Sequence, residues 1–537
     1  MNAILPASRR GLIKGTAGTT AALSFGGFFT NLMLTQEALA STSASGEQTA
    51  PVASPYGPIA PVKDLATGLS LLQLPKGFSY RTFGWWNDIM SDGQPTPRQH
   101  DGMGVVAVAG RSGTQHVLIR NHEVRNAADV KNTVIGNPLA DYDSARAGNG
   151  GCTVLRVANG RLVDHRMAIA STIVNCAGGV MPWGSWITSE ETVAGSDNNP
   201  LYSERHGYNF EVSADPMQTR ALPIRDMGRF AHEAVAYDPV TGYVYQTEDA
   251  RNIALLYRYK PNNTARTYGA LAAGGVLEAA KVVGVDKANL LALAGVRAST
   301  VTRVGESFQI EWVRIETPDS PPARYTENET GNPAPIIPSA SNPTAPNVSG
   351  PFKQGREAGA LRMSRGEGIW WSRRDDGFYV VDTSFGYNSA GAAGRGWGAV
   401  WFYKPSRSNP DRGTLTLVYA SAAAVAGNNP DNITVSPRGG ILTCDDGIGV
   451  VDEYGMGNRL TGFTSTGLAY IFAKSNCVLS DADIASMGRT GQFPAGDYRD
   501  DEFAGACFDP TGRVLYVNFL APGFTAAITG PWAKGNL

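Results

Sequence analysis

The chain has 537 residues, of which 42% are hydrophobic and only 18% charged, a composition that excludes a disordered protein and indicates a globular one. Its 63 glycines are about 12% of the chain against a usual share of about 7%, and together with 32 prolines they favour many short strands over long helices. The net charge of -2 argues against a protein that coats nucleic acid, and after residue 40 no apolar run reaches the roughly 18 residues that a membrane span needs.

The first forty residues have the pattern of an export signal. Arg9 and Arg10 precede a weakly apolar stretch, and Ala38-Leu39-Ala40 supplies a small-residue cleavage site. We interpret residues 1–40 as a twin-arginine signal peptide that the twin-arginine translocase reads, and residues 41–70 as a flexible leader. An ordinary secretory signal or a disordered terminus is the alternative. The signal predicts that the protein is periplasmic or secreted.

A repeated hairpin organises the rest of the chain, residues 71–537. Three copies share a plan of an apolar strand, a turn that contains Pro and then Gly, a second apolar strand and an acidic pair, and three looser copies follow it approximately. The copies begin near Asp101, Cys176, His232, Glu367, Asp431 and Glu502. Hairpins that are repeated radially at unequal spacing are typical of a β-propeller, so the sequence predicts an all-β fold, a six-bladed β-propeller.

The largest departure from this repeat is an insertion over about residues 265–351. Residues 275–293 carry apolar side chains at helical spacing, which predicts a helix. Residues 318–351 are rich in Pro, Ser and Asn, and we interpret them as either a functional lid or a disordered loop. The propeller is therefore expected to carry a mixed helical and loop insertion.

The repeat places its polar positions at one mouth of the central channel. Counting back from the turn proline places Glu233 and Asp431 at equivalent positions and Glu502 one alternation further out. Asp101, Cys176 and Glu367 begin the corresponding strands of their own copies. The second strands add acids at matching ends, namely Glu123, Glu191, Asp249 and Asp446. Carboxylates this close together cannot all stay ionised without cations, so the pattern predicts a metal site. Solvated acids in turns are the alternative interpretation.

The residue types narrow the chemistry of this site. Hard oxygen ligands suit calcium or magnesium, whereas a cysteine among carboxylates favours a site that includes a transition metal and argues against zinc. Arg365 lies on the same strand face as Glu367, where a guanidinium could hold a phosphate or carboxylate oxygen; an ordinary surface arginine is the alternative. No H-E-x-x-H helix, G-x-S-x-G elbow or P-loop is present. The five scattered cysteines form neither a disulfide framework nor a zinc finger, and Cys176 alone is a candidate ligand.

Several motifs give the chain a resemblance to a known family. They are N-C-A-G-G-V-M-P-W-G-S-W-I-T-S-E-E from Asn175 to Glu191, G-R-F-A-H-E-A around Glu233, R-G-E-G around Glu367 and P-D-N-I around Asp431. With E-F-A-G-A-C-F at 502–508 and T-G-P-W at 529–532, the chain resembles the PhoX-type alkaline phosphatases from about residue 71 to 532. The twin-arginine signal is also similar to the one that this family uses.

The resemblance implies a metal-dependent alkaline phosphatase that hydrolyses phosphate monoesters outside the cytoplasm for phosphate acquisition. It implies ferric and calcium ions, Fe³⁺ and Ca²⁺, clustered around a bridging oxo group at the channel mouth. Carried over position by position, it implies that Arg365 contacts phosphate. The metal ligands that it implies are Cys176, Glu191, Glu233, Glu367, Asp431, Asn432, Glu123 and Glu502.

Two other functions stay open at this point. A calcium-only propeller hydrolase would act on phosphodiesters, phytate or lactones and would have no use for the thiol of Cys176. A non-catalytic ligand-binding propeller would hold no metal and would not turn over p-nitrophenyl phosphate. We expect small phosphate monoesters as ligands, no nucleic-acid partner, no stable membrane span and a monomer.

Overall fold

The computed structural model describes residues 48–109, 115–125, 140–145, 150–294, 304–327 and 347–537. These residues fold mainly into antiparallel sheets, which confirms the predicted all-β class and the propeller architecture. The signal peptide predicted at residues 1–40 lies outside the described residues, as do residues 328–346 of the predicted lid loop. None of the helices in the described ranges is long and apolar enough to cross a membrane.

Three strands at the start of the described chain belong to sheets whose other strands come from its C-terminal part. They are β1 Ile59–Val62, β2 Leu72–Pro75 and β3 Ser79–Phe83. β1 pairs antiparallel with β2 over its whole length, and the side chain of Ile59 is buried. The flexible leader predicted for residues 41–70 is therefore wrong for β1, because this strand satisfies its backbone hydrogen bonds in a sheet.

Two antiparallel sheets follow in chain order. The first has the order β4-β5-β6-β7 and the second the order β10-β9-β8. Their strands are β4 His100–Ala109, β5 Gln115–His122, β6 Gly150–Ala158, β7 Arg161–Thr172, β8 Asn175–Met181, β9 Ser185–Glu190 and β10 Asn209–Ser213. In each sheet the strand that opens the hairpin, β4 or β8, forms the edge that contacts the neighbouring sheets.

A nine-stranded sheet comes next and joins two hairpin units. Its strands are β11 His232–Tyr237, β12 Val244–Glu248, β13 Leu256–Pro261, β14 Gly275–Val282, β15 Ser307–Arg314, β18 Gly366–Ser372, β19 Gly377–Asp382, β20 Ala399–Pro405 and β21 Gly413–Ala420. They are ordered β11-β12-β13-β14-β15-β21-β20-β19-β18. The predicted insertion thus supplies β14 and β15, which connect the two units. The short pair β16 Ala323–Arg324 and β17 Asn347–Val348, α1 Leu290–Leu293 and α2 Gly350–Glu357 lie beside them in the chain.

The helix predicted over residues 275–293 is wrong for most of its length. β14 pairs with β13 on one side and with β15 on the other, and only the single turn of α1 is helical. Leu277 and Ala279 are fully buried in this strand. Apolar spacing that fits a helix also fits a strand buried on both faces, and here the hydrogen bonds from two neighbouring strands decide between them.

The C-terminal strands form two further sheets, which the N-terminal strands complete. They are β22 Pro430–Val435, β23 Ile441–Asp445, β24 Val451–Asp452, β25 Gly455–Met456, β26 Arg459–Phe463, β27 Ala469–Ser475, β28 Val478–Leu479, β29 Gly496–Asp497, β30 Phe503–Phe508, β31 Val514–Phe519 and β32 Phe524–Thr529, with α3 Asp481–Ser486. The sheet orders are β1-β2-β27-β26-β23-β22 and β3-β32-β31-β30. Because β3 pairs with β32, the start of the described chain is tied to its end, and the ring of sheets is closed.

Six inner strands surround the central axis. They contact one another in the closed order β4, β8, β11, β18, β22, β30 and back to β4. This order supports the predicted count of six blades, which stays a prediction.

Turns of the predicted Pro–Gly kind join the first and second strands of three of these hairpins, at Pro239, Pro437 and Pro510. Between β11 and β12, Gly242 has a φ of +77°, and the Asp238 carboxylate accepts hydrogen bonds from the Val240 N–H and the Thr241 hydroxyl. Gly512 occupies the same place between β30 and β31, with a φ of +65°. A glycine in the left-handed region and a capping carboxylate together allow so tight a connection.

Candidate metal centre

Each inner strand bulges at the same point near its start. The register shifts after the equivalent residue in all six strands, as between His100 and Met103 in β4. The first residues of these bulges are Asp101, Cys176, Glu233, Glu367, Asp431 and Gly505. A bulge redirects a side chain out of the regular alternation. Since the six strands form a closed ring, the bulges bring the five reactive side chains to one mouth of the channel.

The sixth bulge holds a glycine where the other five hold a reactive side chain. Gly505 has a φ of +58°, and a Cβ there would lie 2.5 Å from the carbonyl oxygen of Asp101. This close approach excludes any side chain from the position. Glu502, which the sequence placed one alternation further out, lies just before β30, and its carboxylate joins those of Asp431 and Asp446.

The acidic pairs at the ends of the second strands divide into a structural residue and a site-facing residue. The Glu190 carboxylate accepts hydrogen bonds from the backbone N–H groups of Ile173 at 3.0 Å and Gly207 at 2.8 Å. Its neighbour Glu191 instead contributes to a candidate ligand group. Successive residues of a strand point to opposite sides, so only the second member of a pair reaches the mouth. The sequence analysis treated each pair as one feature.

Eight acids and one thiol form a continuous series of candidate ligand groups. Within each group the ligand atoms lie within 4.8 Å of one another, and the Cys176 Sγ lies 3.3 Å from Glu233 Oε1. The groups are Asp101 with Glu123 and Cys176, Cys176 with Glu191 and Glu233, Glu233 with Glu367 and Asp431, and Asp431 with Asp446 and Glu502. Consecutive groups share a residue, so the series fits several neighbouring cations better than a single one.

Several carboxylate oxygens of this negative site have no hydrogen-bond partner among the described residues. Both carboxylate oxygens of Asp101, and one each of Glu233 and Glu502, are buried with no hydrogen-bond partner in the described part of the chain. Burial, together with the neighbouring carboxylates, raises the pKa of Glu233 and of the Cys176 thiol well above their usual ranges. Buried polar atoms are normally satisfied, and a cation would satisfy these. The donor atoms therefore fit bound metal.

Arg365, the predicted phosphate contact, lies beside the candidate ligand groups. Its Nε donates to Asp249 at 2.6 Å, and its Nη2 lies 2.9 Å from Glu367 Oε1. Its backbone N–H donates to Asp382 at 3.0 Å, which holds the start of β18 in place. The side chain is still 24% exposed, so a ligand can reach the guanidinium while two acids fix its orientation.

A second arginine at the mouth was missed by the sequence analysis. Arg125 bridges Glu123 and Glu191, and its Nη2 lies 2.6 Å from Glu191 Oε2. Its side chain is 52% exposed. A signal was available, because Arg125 follows Glu123 by two residues and extended chain places such residues on the same side.

Asn432, which the resemblance assigns to the metal shell, is engaged within the protein. Its Nδ2 donates to Asp431 Oδ1 at 2.8 Å, and its Oδ1 accepts from the Gly505 N–H at 2.5 Å. In this arrangement it orients Asp431 and connects the bulges of β22 and β30.

The histidines lie outside the candidate ligand groups. None of the groups found among the described residues contains one. His122 and His232, which precede site glutamates or lie beside them in sequence, bond through their rings to the carbonyl oxygens of Arg98 and Gly228, each at 3.0 Å. Burial lowers the pKa of both rings, which keeps them neutral.

The pKa of another buried histidine, His206, is raised instead of lowered. The His206 ring lies between Glu190 Oε1 at 2.6 Å and Asp143 Oδ2 at 3.1 Å, and all three side chains are fully buried. Burial by itself lowers the pKa of His206, but the two carboxylates more than offset this and raise the pKa to about 9. The imidazolium therefore supports the strand end that precedes Glu191.

We expect the stability that His206 contributes to depend on pH. A folded pKa near 9, above the unfolded value, stabilises the fold fully below about pH 6.5, and this stability is lost as pH rises through 9. The loss should be about 3 kcal/mol for the native protein. His206→Gln should remove this dependence, which thermal unfolding at pH 6.5 and pH 9.5 would measure. Parallel pH profiles of the native protein and the variant would contradict the assignment.

A closed β-propeller whose mouth is lined by buried carboxylates, a thiol and exposed arginines defines a propeller metalloenzyme. Over residues 54–523 the sequence matches the family Alkaline phosphatase PhoX. The chain belongs to this family, which confirms the resemblance seen in the sequence. Membership makes the protein a metal-dependent phosphatase, a hydrolase of phosphoric monoesters.

Solved structures support the fold. The chain is similar to Pseudomonas fluorescens PhoX in complex with vanadate, a transition state analogue, with a TM-score of 0.60 and 16% identity over 92% of this chain and 99% of that chain. XC5397, a gluconolactonase from Xanthomonas campestris, aligns at 11% identity over 91% of this chain and 99% of that one, with a TM-score of only 0.32. The first similarity shows the β-propeller fold, and the second is too weak to add to it. No curated protein matches the sequence.

Proposed function

We propose that this protein hydrolyses small phosphate monoesters outside the cytoplasm, with Fe³⁺ and Ca²⁺ held at the propeller mouth. The observation that carries the proposal is the series of buried carboxylates with unpartnered oxygens directly beside Arg365. Such a site concentrates cations and leaves the Arg365 guanidinium accessible, a combination suited to a phosphoryl group.

The donor sets of the four ligand groups favour different cations. Two groups contain the Cys176 thiol, and the other two contain only carboxylates. A thiolate with carboxylates favours iron, whereas oxygen-only groups suit calcium. The chemistry that such cations supply when bound is Lewis acidity toward phosphoryl oxygens and neutralisation of their charge.

The two arginines at the channel mouth, Arg365 and Arg125, would orient the substrate. Arg365 can donate to a non-bridging phosphoryl oxygen while Asp249 keeps its planar fork in place. A charge-assisted hydrogen bond of this kind strengthens as negative charge accumulates on the phosphoryl oxygens during hydrolysis. Arg125 adds a second positive charge at the same mouth, held by Glu123 and Glu191.

Removing metal should abolish the turnover of p-nitrophenyl phosphate and lower the unfolding temperature. Without cations the buried acids repel one another or must take up protons, and both cost stability. Metal analysis, phosphatase assay and thermal unfolding on one native preparation, before and after chelation, measure this.

Readdition of metals separates the competing functions. Restoration that requires iron together with calcium supports the proposal. Full recovery with calcium alone would support the calcium-only hydrolase. In that enzyme the Cys176 thiol, which belongs to two of the four ligand groups, would have no role. A native preparation with neither metal nor turnover would support the non-catalytic propeller.

The location outside the cytoplasm rests on Arg9 and Arg10, which the twin-arginine translocase would read. Cell fractionation tests this part of the proposal. Accumulation of the native chain in the cytoplasm would contradict it.

A further inference from the structure

Beside the metal centre, two exposed arginines have no role in the proposed hydrolysis. Arg251 follows Asp249, the partner of Arg365, by two residues, and Arg395 lies in the loop after β19. Both residues are exposed. The backbone N–H of Thr383 donates to the Arg365 carbonyl at 3.1 Å, so this loop begins directly against the strand that carries Arg365.

The two side chains are presented from a fixed backbone. Arg251 Nη1 donates to Ser384 Oγ at 2.8 Å and to the Gly394 carbonyl at 3.2 Å. Gly394 has a φ of +63°, and a Cβ there would lie 1.9 Å from Asn252 Oδ1, so the loop packs tightly on the turn that carries Arg251. On its other side, Asn429 Nδ2 donates to the carbonyl oxygens of Thr383 and Gly396. The loop is thus held from both sides, next to Arg395.

These guanidinium groups keep donors available. Within the described ranges, the Nε and Nη2 of Arg251 have no hydrogen-bond partner, and the Arg395 side chain makes neither a hydrogen bond nor an ion pair. Arg251 bonds to Gly394, the neighbour of Arg395, and follows Asp249, the partner of Arg365, by two residues, so the three arginines come from adjoining segments. Partial burial and then the positive charges of Arg365 and Arg395 lower the pKa of Arg251, although Asp249 and Glu367 act in the opposite direction. Arg365 is paired with Asp249 and Glu367, whereas neither Arg251 nor Arg395 forms an ion pair within the described ranges, and exposed guanidinium groups without an acid partner favour a bound anion.

We propose that Arg251 and Arg395 form a subsite for a second phosphate group of the substrate, next to the phosphoryl group that Arg365 contacts. Two planar forks match the geometry and charge of a phosphate dianion. The inference rests on the proposed phosphatase function and names its preferred substrates as molecules that carry two phosphate groups close together.

The test compares ligands with one and two phosphonate groups on the native protein and on Arg251→Gln, Arg395→Gln and the double variant. Methylenediphosphonate is suitable because its P–C–P bridge is not hydrolysed, and methylphosphonate is the matched single anion. Titration calorimetry should show that the double variant binds methylenediphosphonate about 10-fold more weakly, as expected for the loss of charged hydrogen bonds, and methylphosphonate less than about twofold more weakly.

Activity on p-nitrophenyl phosphate provides an independent readout. Its kcat/KM should change less than about twofold in these variants, since it carries one phosphate group. Arg220→Gln is the control, because Arg220 is an exposed arginine whose Nη1 donates to the nearby carbonyl oxygens of Met217 and Thr219. Arg395→Gln keeps the test usable if Arg251→Gln does not fold, because the Arg395 side chain makes no hydrogen bond or ion pair with the described residues.

Equal weakening of both phosphonates, or no weakening of either, would overturn the subsite. Failure of the native protein to turn over p-nitrophenyl phosphate would instead count against the proposed function. The two failures are therefore distinguishable in one set of measurements.

Discussion

Cys176→Ser should lower phosphatase activity by at least about 100-fold while the fold survives. Cys176 belongs to two of the four ligand groups, and a serine hydroxyl ionises far less readily than a thiol. Replacing a residue that only hydrogen-bonds to a metal ligand typically lowers metal affinity or activity about 10- to 100-fold, and loss of the ligand itself should lower them at least as much. The unfolding temperature should change little, because strand ladders and sheet packing hold the propeller. Metal analysis, absorbance and p-nitrophenyl phosphate turnover measure the effect.

Cys444→Ser is the matched control. Cys444 is equally buried, lies opposite the bulge of β22, and occupies the position that Thr247 fills in β12 and Ser189 fills in β9. A small polar residue should be tolerated there. If both variants keep full activity and unchanged iron content, Cys176 is only a buried core thiol and the iron proposal is wrong.

Arg365→Gln should lower kcat/KM for p-nitrophenyl phosphate by about 100- to 1,000-fold, the range seen when a donor to transition-state charge is removed. Metal content should be retained, because Arg365 itself is not a candidate ligand. It pairs with Asp249, which belongs to none of the ligand groups, and with one candidate ligand, Glu367. Arg365→Lys should recover only part of the activity, since an ammonium keeps the charge but loses the planar fork. Steady-state kinetics with parallel metal analysis check both results.

Arg407→Gln is the control for this loss. Arg407 is 28% exposed and pairs with Asp238 and Asp376, much as Arg365 pairs with two acids, but it lies at the turn end of the hairpins. Its replacement should leave kcat/KM within about twofold. A similar loss in both variants would mean that Arg365 acts through stability and not on the substrate.

Some features of the fold follow from local chemistry and could be predicted from the sequence. The hairpin turns need Pro for one dihedral angle and Gly for a positive φ, as at Pro239 and Gly242, and these residue types are visible in the sequence. The same turns fix the register of each first strand, so counting back from them placed Glu233 and Asp431 at one level, where the structure brings them into one ligand group. The family motifs were likewise contained in the sequence.

Other features depend on contacts between distant residues, and only the tertiary structure decided them. The apolar spacing of residues 275–293 fits a helix, but hydrogen bonds from β13 and β15 make β14 a strand. Gly505 interrupts the ring of ligands because the Asp101 carbonyl oxygen approaches it, a contact between the first and last sheets. Which acid of each pair faces the metal centre, and which supports it as Glu190 does, depends on backbone groups supplied by other segments. Periodicity is a local property, whereas burial and hydrogen-bond partners are set by the closure of the ring.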